Sequence, residues 1–120
     1  MPLSVGTDIV EIYRVAGVID RWQDRFLQRV YTTAELHYCR GRVAELAARF
    51  AGKEAISKAL GTGIRGLAWR DMEILPDALG KPTVTLHDRA LRRAADVGLS
   101  VFEISLSHAR DYAVAVVVAQ

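Results

Sequence analysis

The stretch RVAELAARFAGKEAISKAL, residues 42–60, decides how this chain folds, because it is the longest segment with a helical rhythm and it carries charges where a core is expected. At about 100° per residue, Val43, Ala47, Phe50 and Ala51 all fall within about 60° of Glu54, so an apolar stripe runs straight into an acid. Lys58 stands one turn further along the same face, at the i, i+4 spacing that lets a glutamate and a lysine meet. Burying an unpaired carboxylate costs several kcal/mol, a large share of an ordinary stability margin, so something must compensate Glu54. Two readings stay open from this helix alone: a plain Glu54 to Lys58 ion pair, or a metal or phosphate site at the helix end. Gly61 suits a left-handed cap that stops the helix, and the Gly61-Thr-Gly63 loop also offers a weak signal for close approach of a phosphate or nucleotide.

Working outward, residues 3–12 are rich in valine and isoleucine and read as a strand, with Gly6, Asp8 and Val10 on one side and Val5, Thr7 and Ile9 on the other. Aspartate is poorly suited to a strand interior, and Gly6 leaves space beside it that a close ligand would use. The alternative is a bulge or early strand end that lets Asp8 reach water. Residues 14–30 read as one helix with Ala16, Ile19, Phe26, Leu27 and Val30 on its apolar side. Arg14, Arg21 and Arg25, joined at the edge by Arg29, form a basic stripe on the other side. It is either a solvated face or a dock for an acidic protein. Thr33 opens a short helix with Glu35 near its first turn. Beyond the loop, strands are expected at 72–75 and 82–86, a helix at 88–97, and a closing hairpin of strands 102–108 and 112–119. In that hairpin valines alternate with alanines, which predicts burial on both sides with another layer packed close on the alanines. His108 ends the first of the two strands, and a structural role for it is the simpler reading.

Composition narrows the function. With 120 residues, 51% hydrophobic and 25% charged, the chain is expected to be one soluble globular domain, residues 1–120. Its longest apolar run, residues 112–119, falls far short of the roughly 20 residues that span a bilayer, and no basic segment precedes an apolar one at the start. A cytoplasmic protein with no membrane role is expected. The single cysteine, Cys39, has no internal disulfide partner, and His37, His87 and His108 show no zinc spacing with it. A formal charge of +2 is too small to argue for nucleic-acid binding, so any anionic partner must be read from where the arginines lie.

The segments Gly6-Thr-Asp8-Ile-Val-Glu11, Ala48-Arg-Phe50-Ala-Gly-Lys53-Glu54-Ala-Ile-Ser-Lys58-Ala-Leu-Gly61-Thr-Gly63, Gly80-Lys-Pro82 and Ser105-Leu-Ser-His108, in that order, resemble the holo-acyl-carrier-protein synthases, the small branch of the 4′-phosphopantetheinyl transferases. The resemblance implies an α+β single domain, a mostly antiparallel sheet packed against a long helix, assembled as a homotrimer with its sites between subunits. It implies transfer of the 4′-phosphopantetheine arm of coenzyme A to a serine of apo-acyl carrier protein, in fatty acid biosynthesis, releasing adenosine 3′,5′-bisphosphate. Magnesium (Mg2+) would be held by Asp8 and Glu54, with Lys58 over the pyrophosphate and Glu54 the candidate base, directly or through a water. Arg49, Ser57 and His108 would contact coenzyme A, Gly61 and Gly63 would face its nucleotide, and Arg14, Arg21 and Arg25 would dock the acidic carrier. Departures from the family pattern are small: Gly52 stands where alanine is usual and Ser107 where threonine is frequent. Gly52 lies away from Glu54 and is expected to cost about 1 kcal/mol without touching the site.

Two rivals use parts of the same pattern. A non-catalytic trimeric module would need the arginine stripe but not Glu54, and a magnesium-dependent nucleotide pyrophosphatase would use both carboxylates but no carrier protein.

Overall fold

A computed structural model describes residues 2–120. Strand β1 (Ser4–Glu11) leads into helices α1 (Ile12–Trp22), α2 (Asp24–Val30), α3 (Thr33–Cys39) and the long α4 (Val43–Ala59). Then come β2 (Met72–Pro76), β3 (Pro82–Leu86), α5 (Asp88–Val97), β4 (Phe102–His108) and β5 (Tyr112–Ala119). One antiparallel sheet has the order β1-β5-β4, and β2-β3 form a separate hairpin. The expected α+β architecture, with a mostly antiparallel sheet against a long helix, is what the chain adopts.

The centre of the sheet is built from the last strand. On β5 the residues Ala113, Ala115, Val117 and Ala119 are fully buried, and α4 lies over them. Small side chains there let a helix approach the sheet closely, and the approach is tightest at Gly6 of β1. A Cβ on Gly6 would lie 1.9 Å from the Ala55 carbonyl oxygen and 2.9 Å from the Ala59 nitrogen. The space read beside Asp8 as room for a ligand is therefore filled by the helix backbone itself. Ser4 fixes the same crossing by donating its hydroxyl to the Ala59 carbonyl at 2.6 Å. The opposite face of the hairpin differs from expectation, since Val116 and Val118 are exposed together with Val5 and Ile9 of β1. Within one chain the hairpin is buried on one side only.

Two more expectations change. The helix read over 14–30 is broken at Gln23, whose φ of 48° is left-handed, so α1 and α2 are separate helices. The break lets Phe26 and Val30 turn into an aromatic cluster with Tyr31, Phe50 and Trp69, where the Phe50 and Trp69 rings stack at 4.8 Å. Cys39 is sealed in the same cluster, and burial pushes its thiol up to about 11. Gly52 is not a weak spot on a free face. A Cβ there would meet Ile74 Cδ1 at 2.5 Å and Ile104 Cδ1 at 3.2 Å, so glycine is what permits α4 to sit against the β2 and β4 side chains.

The opposite flank of α4 is held by a buried ion pair. Lys53, 0% exposed, donates to Glu35 Oε1 at 2.7 Å, to the Met72 carbonyl at 2.5 Å and to the Trp69 carbonyl at 3.2 Å. Glu35 completes its own set by accepting from the Thr32 and Ile74 backbone N–H groups, at 2.9 and 2.8 Å. The first of these belongs to a capping box that starts α3. Burial pulls the Lys53 pKa down while Glu35 offsets it. Every polar atom of the pair is partnered, the condition under which a buried pair is tolerated. Lys53→Met leaves Glu35 buried without its cation and should cost about 3–5 kcal/mol in a chemical-denaturation titration, with Glu35→Gln on top of it recovering part of the loss.

Candidate active site

Strand alternation puts Asp8 on the same face as Gly6, so the residue next along that face lands beside α4 as the helix runs off its contact at Gly6. The strand keeps regular pairing from Ser4 opposite Ala119 to Glu11 opposite Tyr112, with Asp8 opposite Ala115. No bulge relieves Asp8. It is tolerated because β1 is a sheet edge and because a cation reaches it. That cation is Lys58, whose Nζ donates to Asp8 Oδ1 at 3.2 Å and to the Thr7 carbonyl at 2.9 Å.

The helix-internal pair between Glu54 and Lys58 is not among the ion pairs of the described residues, although the spacing permits it. Glu54 is half-buried beside Asp8. Its pKa is raised, first by burial and second by the Asp8 charge, with Lys58 opposing the shift. Two carboxylates thus face one ammonium. Among the described residues no group of three or more His, Cys, Asp and Glu side chains gathers, yet magnesium asks for only one or two carboxylates, the rest of its shell being water and phosphate oxygens. One ammonium leaves the two carboxylates of Asp8 and Glu54 with an excess negative charge, and that excess fits such an ion.

The other anticipated site residues lie elsewhere. Arg49 shares a helix face with Lys53 rather than Glu54. It is 2% exposed, donating through Nε to the Ile74 carbonyl at 3.1 Å and through Nη1 to Glu45 at 2.9 Å, with its guanidinium over the Tyr38 ring. Ser57 is fully buried and donates its hydroxyl to the Glu54 carbonyl at 2.7 Å. Gly61 and Gly63 have φ of 82° and 60°, and the N–H groups of Gly61, Thr62 and Gly63 turn back onto the Lys58 and Ser57 carbonyls. They do not form an outward cradle of amides, but a Cβ at Gly63 meets nothing within 4 Å, so the loop is open to close approach there. His108 is exposed at the end of β4, paired with Ala113. Asp8 and Leu106 both pair with Ala115, which places the His108 Cα roughly 12 Å from that of Asp8, two strand spacings across and two residues along.

The arginine stripe is also rearranged. Arg14 bridges Glu11 at 2.7 Å, while Arg21 and Arg25, now on different helices, flank the exposed Trp22 ring at 5.2 and 5.5 Å. Beside this surface, and sharing Arg14 with it, lies a largely apolar hollow of about 450 Å3 walled by Val10, Val15, Val18, Phe26 and Phe50. A second, basic hollow of about 370 Å3 is lined by His37, Tyr38, Arg40 and Arg42 at the turn into α4. The sequence reading missed both, since each is assembled from the corner between two helices. The cue for the second was two arginines, Arg40 and Arg42, bracketing Gly41 with His37 one turn before.

Residues 4–117 match the family model described as the 4′-phosphopantetheinyl transferase superfamily. The holo-[acyl-carrier-protein] synthase of Edwardsiella ictaluri is 50% identical over 123 residues, covering 98% of this chain and 97% of that protein. The crystal structure of the holo-[acyl-carrier-protein] synthase from Neisseria meningitidis superposes with a TM-score of 0.90 at 37% identity, covering 98% of this chain and 97% of the other. That of the Helicobacter pylori synthase in complex with coenzyme A gives 0.89 at 32%, covering 97% and 99%.

A carboxyl whose pKa is higher folded than unfolded favours the folded state when protonated, and that stability is lost as pH rises through the folded value. Glu54→Gln should therefore raise the Tm of the protein alone at pH 7.5, and the gain should vanish below the ordinary glutamate value of 4.5, where both forms are neutral; a scan of Tm against pH reads this directly.

Proposed function

The chain belongs to the 4′-phosphopantetheinyl transferase superfamily and within it to the holo-[acyl-carrier-protein] synthases, and from that premise we propose that it moves the 4′-phosphopantetheine arm of coenzyme A onto a serine of apo-acyl carrier protein with magnesium bound, in the cytoplasm, for fatty acid biosynthesis. The observation that carries the reading is the meeting of Asp8, Glu54 and Lys58 where α4 crosses β1. Asp8 and Glu54 are the residues to hold magnesium, which when bound supplies charge neutralisation at the pyrophosphate.

The serine oxygen forms a bond to the phosphorus that carries the pantetheine arm. The bond from that phosphorus to the bridging oxygen breaks, and adenosine 3′,5′-bisphosphate leaves with the electron pair. Glu54, directly or through a water, takes the serine proton. Lys58, half-exposed and long, places a point charge where the leaving phosphate gains negative charge. Phosphoryl-type transfer needs alignment and charge stabilisation more than covalent help, and this cluster supplies charge on a rigid crossing.

Two features support a homotrimer with shared sites. The exposed Val5, Ile9, Val116 and Val118 face is the kind of apolar surface that other copies cover, and the basic hollow at His37, Arg40 and Arg42 lies at the N-terminal end of α4, whereas Glu54 and Lys58 are near its C-terminal end. A neighbour's basic hollow, with its His108 and the turn preceding its Arg49, would receive the 3′-phosphate end of a coenzyme A whose pyrophosphate sits at Lys58. Ser57 then acts by shaping the last turn of α4 before Gly61 and Gly63. The acidic carrier docks on Arg14, Arg21 and Arg25, with Trp22 between the latter two and the apolar hollow beside it.

Apo-acyl carrier protein incubated with this enzyme, coenzyme A and magnesium should gain the mass of one phosphopantetheine, and should gain none with chelator or with Glu54→Ala. An unmodified carrier in the complete mixture, or coenzyme A hydrolysis without a carrier, sinks the transferase reading. Arg21→Glu combined with Arg25→Glu should raise KM for the carrier by about tenfold or more and leave KM for coenzyme A unchanged.

A further inference from the structure

Lys58 passes over the nearer partner its own helix offers. Glu54 stands at i−4, the favoured orientation for a glutamate and lysine pair, yet the ammonium reaches across to Asp8 Oδ1 and the Thr7 carbonyl. Its surroundings contrast with those of Lys53 on the same helix. Lys53 is 0% exposed and holds three acceptors, whereas the Lys58 side chain is 51% exposed with two contacts at the sheet edge. Nothing cages Lys58, and a hydrated ammonium on a four-carbon stem changes partners at little cost.

The charge at this crossing is incomplete. Asp8 and Glu54 together face one ammonium, which, of the two carboxylates, is seated on Asp8 alone. A divalent cation entering between the carboxylates meets Lys58 already seated on one of them. The two cations repel, and both keep their places only if an anion such as a phosphate arrives to take the ammonium.

We propose that Lys58 is an exchangeable counter-ion: in the free protein it holds Asp8 in place and competes with the metal, and on coenzyme A binding it transfers to substrate phosphate, so that metal and nucleotide bind with positive coupling. The inference rests on the reading of Asp8 and Glu54 as a magnesium site. The coupling is reciprocal: nucleotide tightens metal binding by the factor by which metal tightens nucleotide binding. It orders the site without a moving loop, since a side-chain swing replaces a lid.

The test is binding rather than turnover. Manganese(II) has the same preference for oxygen ligands and is counted by its free-ion electron paramagnetic resonance signal, at low ionic strength so that screening does not mask the effect. In the protein alone, Lys58→Met should lower the manganese Kd by about fivefold or more, as expected for removing one unit charge a few ångströms away. Lys58→Arg, which keeps the charge, should stay near the parent value. Saturating adenosine 3′,5′-bisphosphate, whose phosphate also offers the metal an oxygen ligand, should lower the parent's Kd by a clearly larger factor than that of Lys58→Met, the difference being the coupling carried by Lys58. Circular dichroism and Tm establish that the half-exposed substitution leaves the fold intact. If Glu54→Gln abolishes manganese binding while Lys58→Met leaves the Kd unchanged or raised, the metal site stands and the counter-ion role is wrong. If no Glu54-dependent manganese binding occurs with or without nucleotide, the metal site and this inference fall together, while the mass assay above still decides the transferase activity on its own.

Discussion

The contact between the backbone of α4 and the backbone of β1 at Gly6 is the constraint on which the rest of the molecule depends. A helix normally stands off a sheet by the thickness of two layers of side chains. Here glycine on the strand and alanines on β5 and α4 remove most of that thickness, and a single Cβ at position 6 would overlap the Ala55 carbonyl. Everything on the two elements is consequently fixed in register. Asp8 faces Glu54 and Lys58 because the strand advances two residues from the contact while the helix runs along it. On the other flank, Lys53 and Glu35 tie the same helix to α3 and to the start of β2. The helix is held from both sides by interactions that tolerate almost no displacement.

Most of the architecture was legible from periodicity. Eight of the nine expected elements correspond to observed ones within a residue or two, because alternation and turn chemistry were clear at each; the exception was the helix over 14–30. There the pattern of apolar residues continued through Gln23, and nothing local marks the left-handed residue; the break is imposed by the packing of Phe26 and Val30 into the aromatic cluster. The helix over 42–60 was found correctly but its charges were misjudged. A helical wheel identifies an apolar stripe by contrast with a polar face, and α4 is buried nearly all round, so it offers little contrast. Glu54 therefore looked more deeply buried than it is, and Lys53, the side chain with no exposure at all, looked ordinary. Its partner is 18 residues away, beyond the reach of any local rule.

The candidate site was legible to the extent that its residues broke the rules of their elements. Asp8 in a strand and an acid in an apolar helix are both local inconsistencies, and both stand at the crossing. Arg49 and Ser57 broke no rule and are seated as structural residues, with hydrogen bonds to β2, Glu45 and the helix itself. The two carboxylates cost stability through their mutual repulsion, and the fold tolerates this because the neighbouring Lys53 hub and the alanine interface are fully satisfied. Strength and strain sit within two turns of the same helix.

The sheet order β1-β5-β4 pairs Ser4 with Ala119, so the strand bearing Asp8 has a single sheet neighbour and it is the last one in the chain. During synthesis β1 emerges first and waits with no strand to pair with while more than a hundred residues follow. Helix α4 has only the lone strand β1 to pack on until β5 leaves the ribosome, since Ala113, Ala115 and Ala119 complete its floor. Folding from one end toward the other is slowed by this topology, because the strand that carries Asp8 gains its only sheet partner when β5 arrives. A nascent chain or a product truncated before β5 thus carries every residue of the acidic cluster and lacks the strand pairing that holds Asp8 in register.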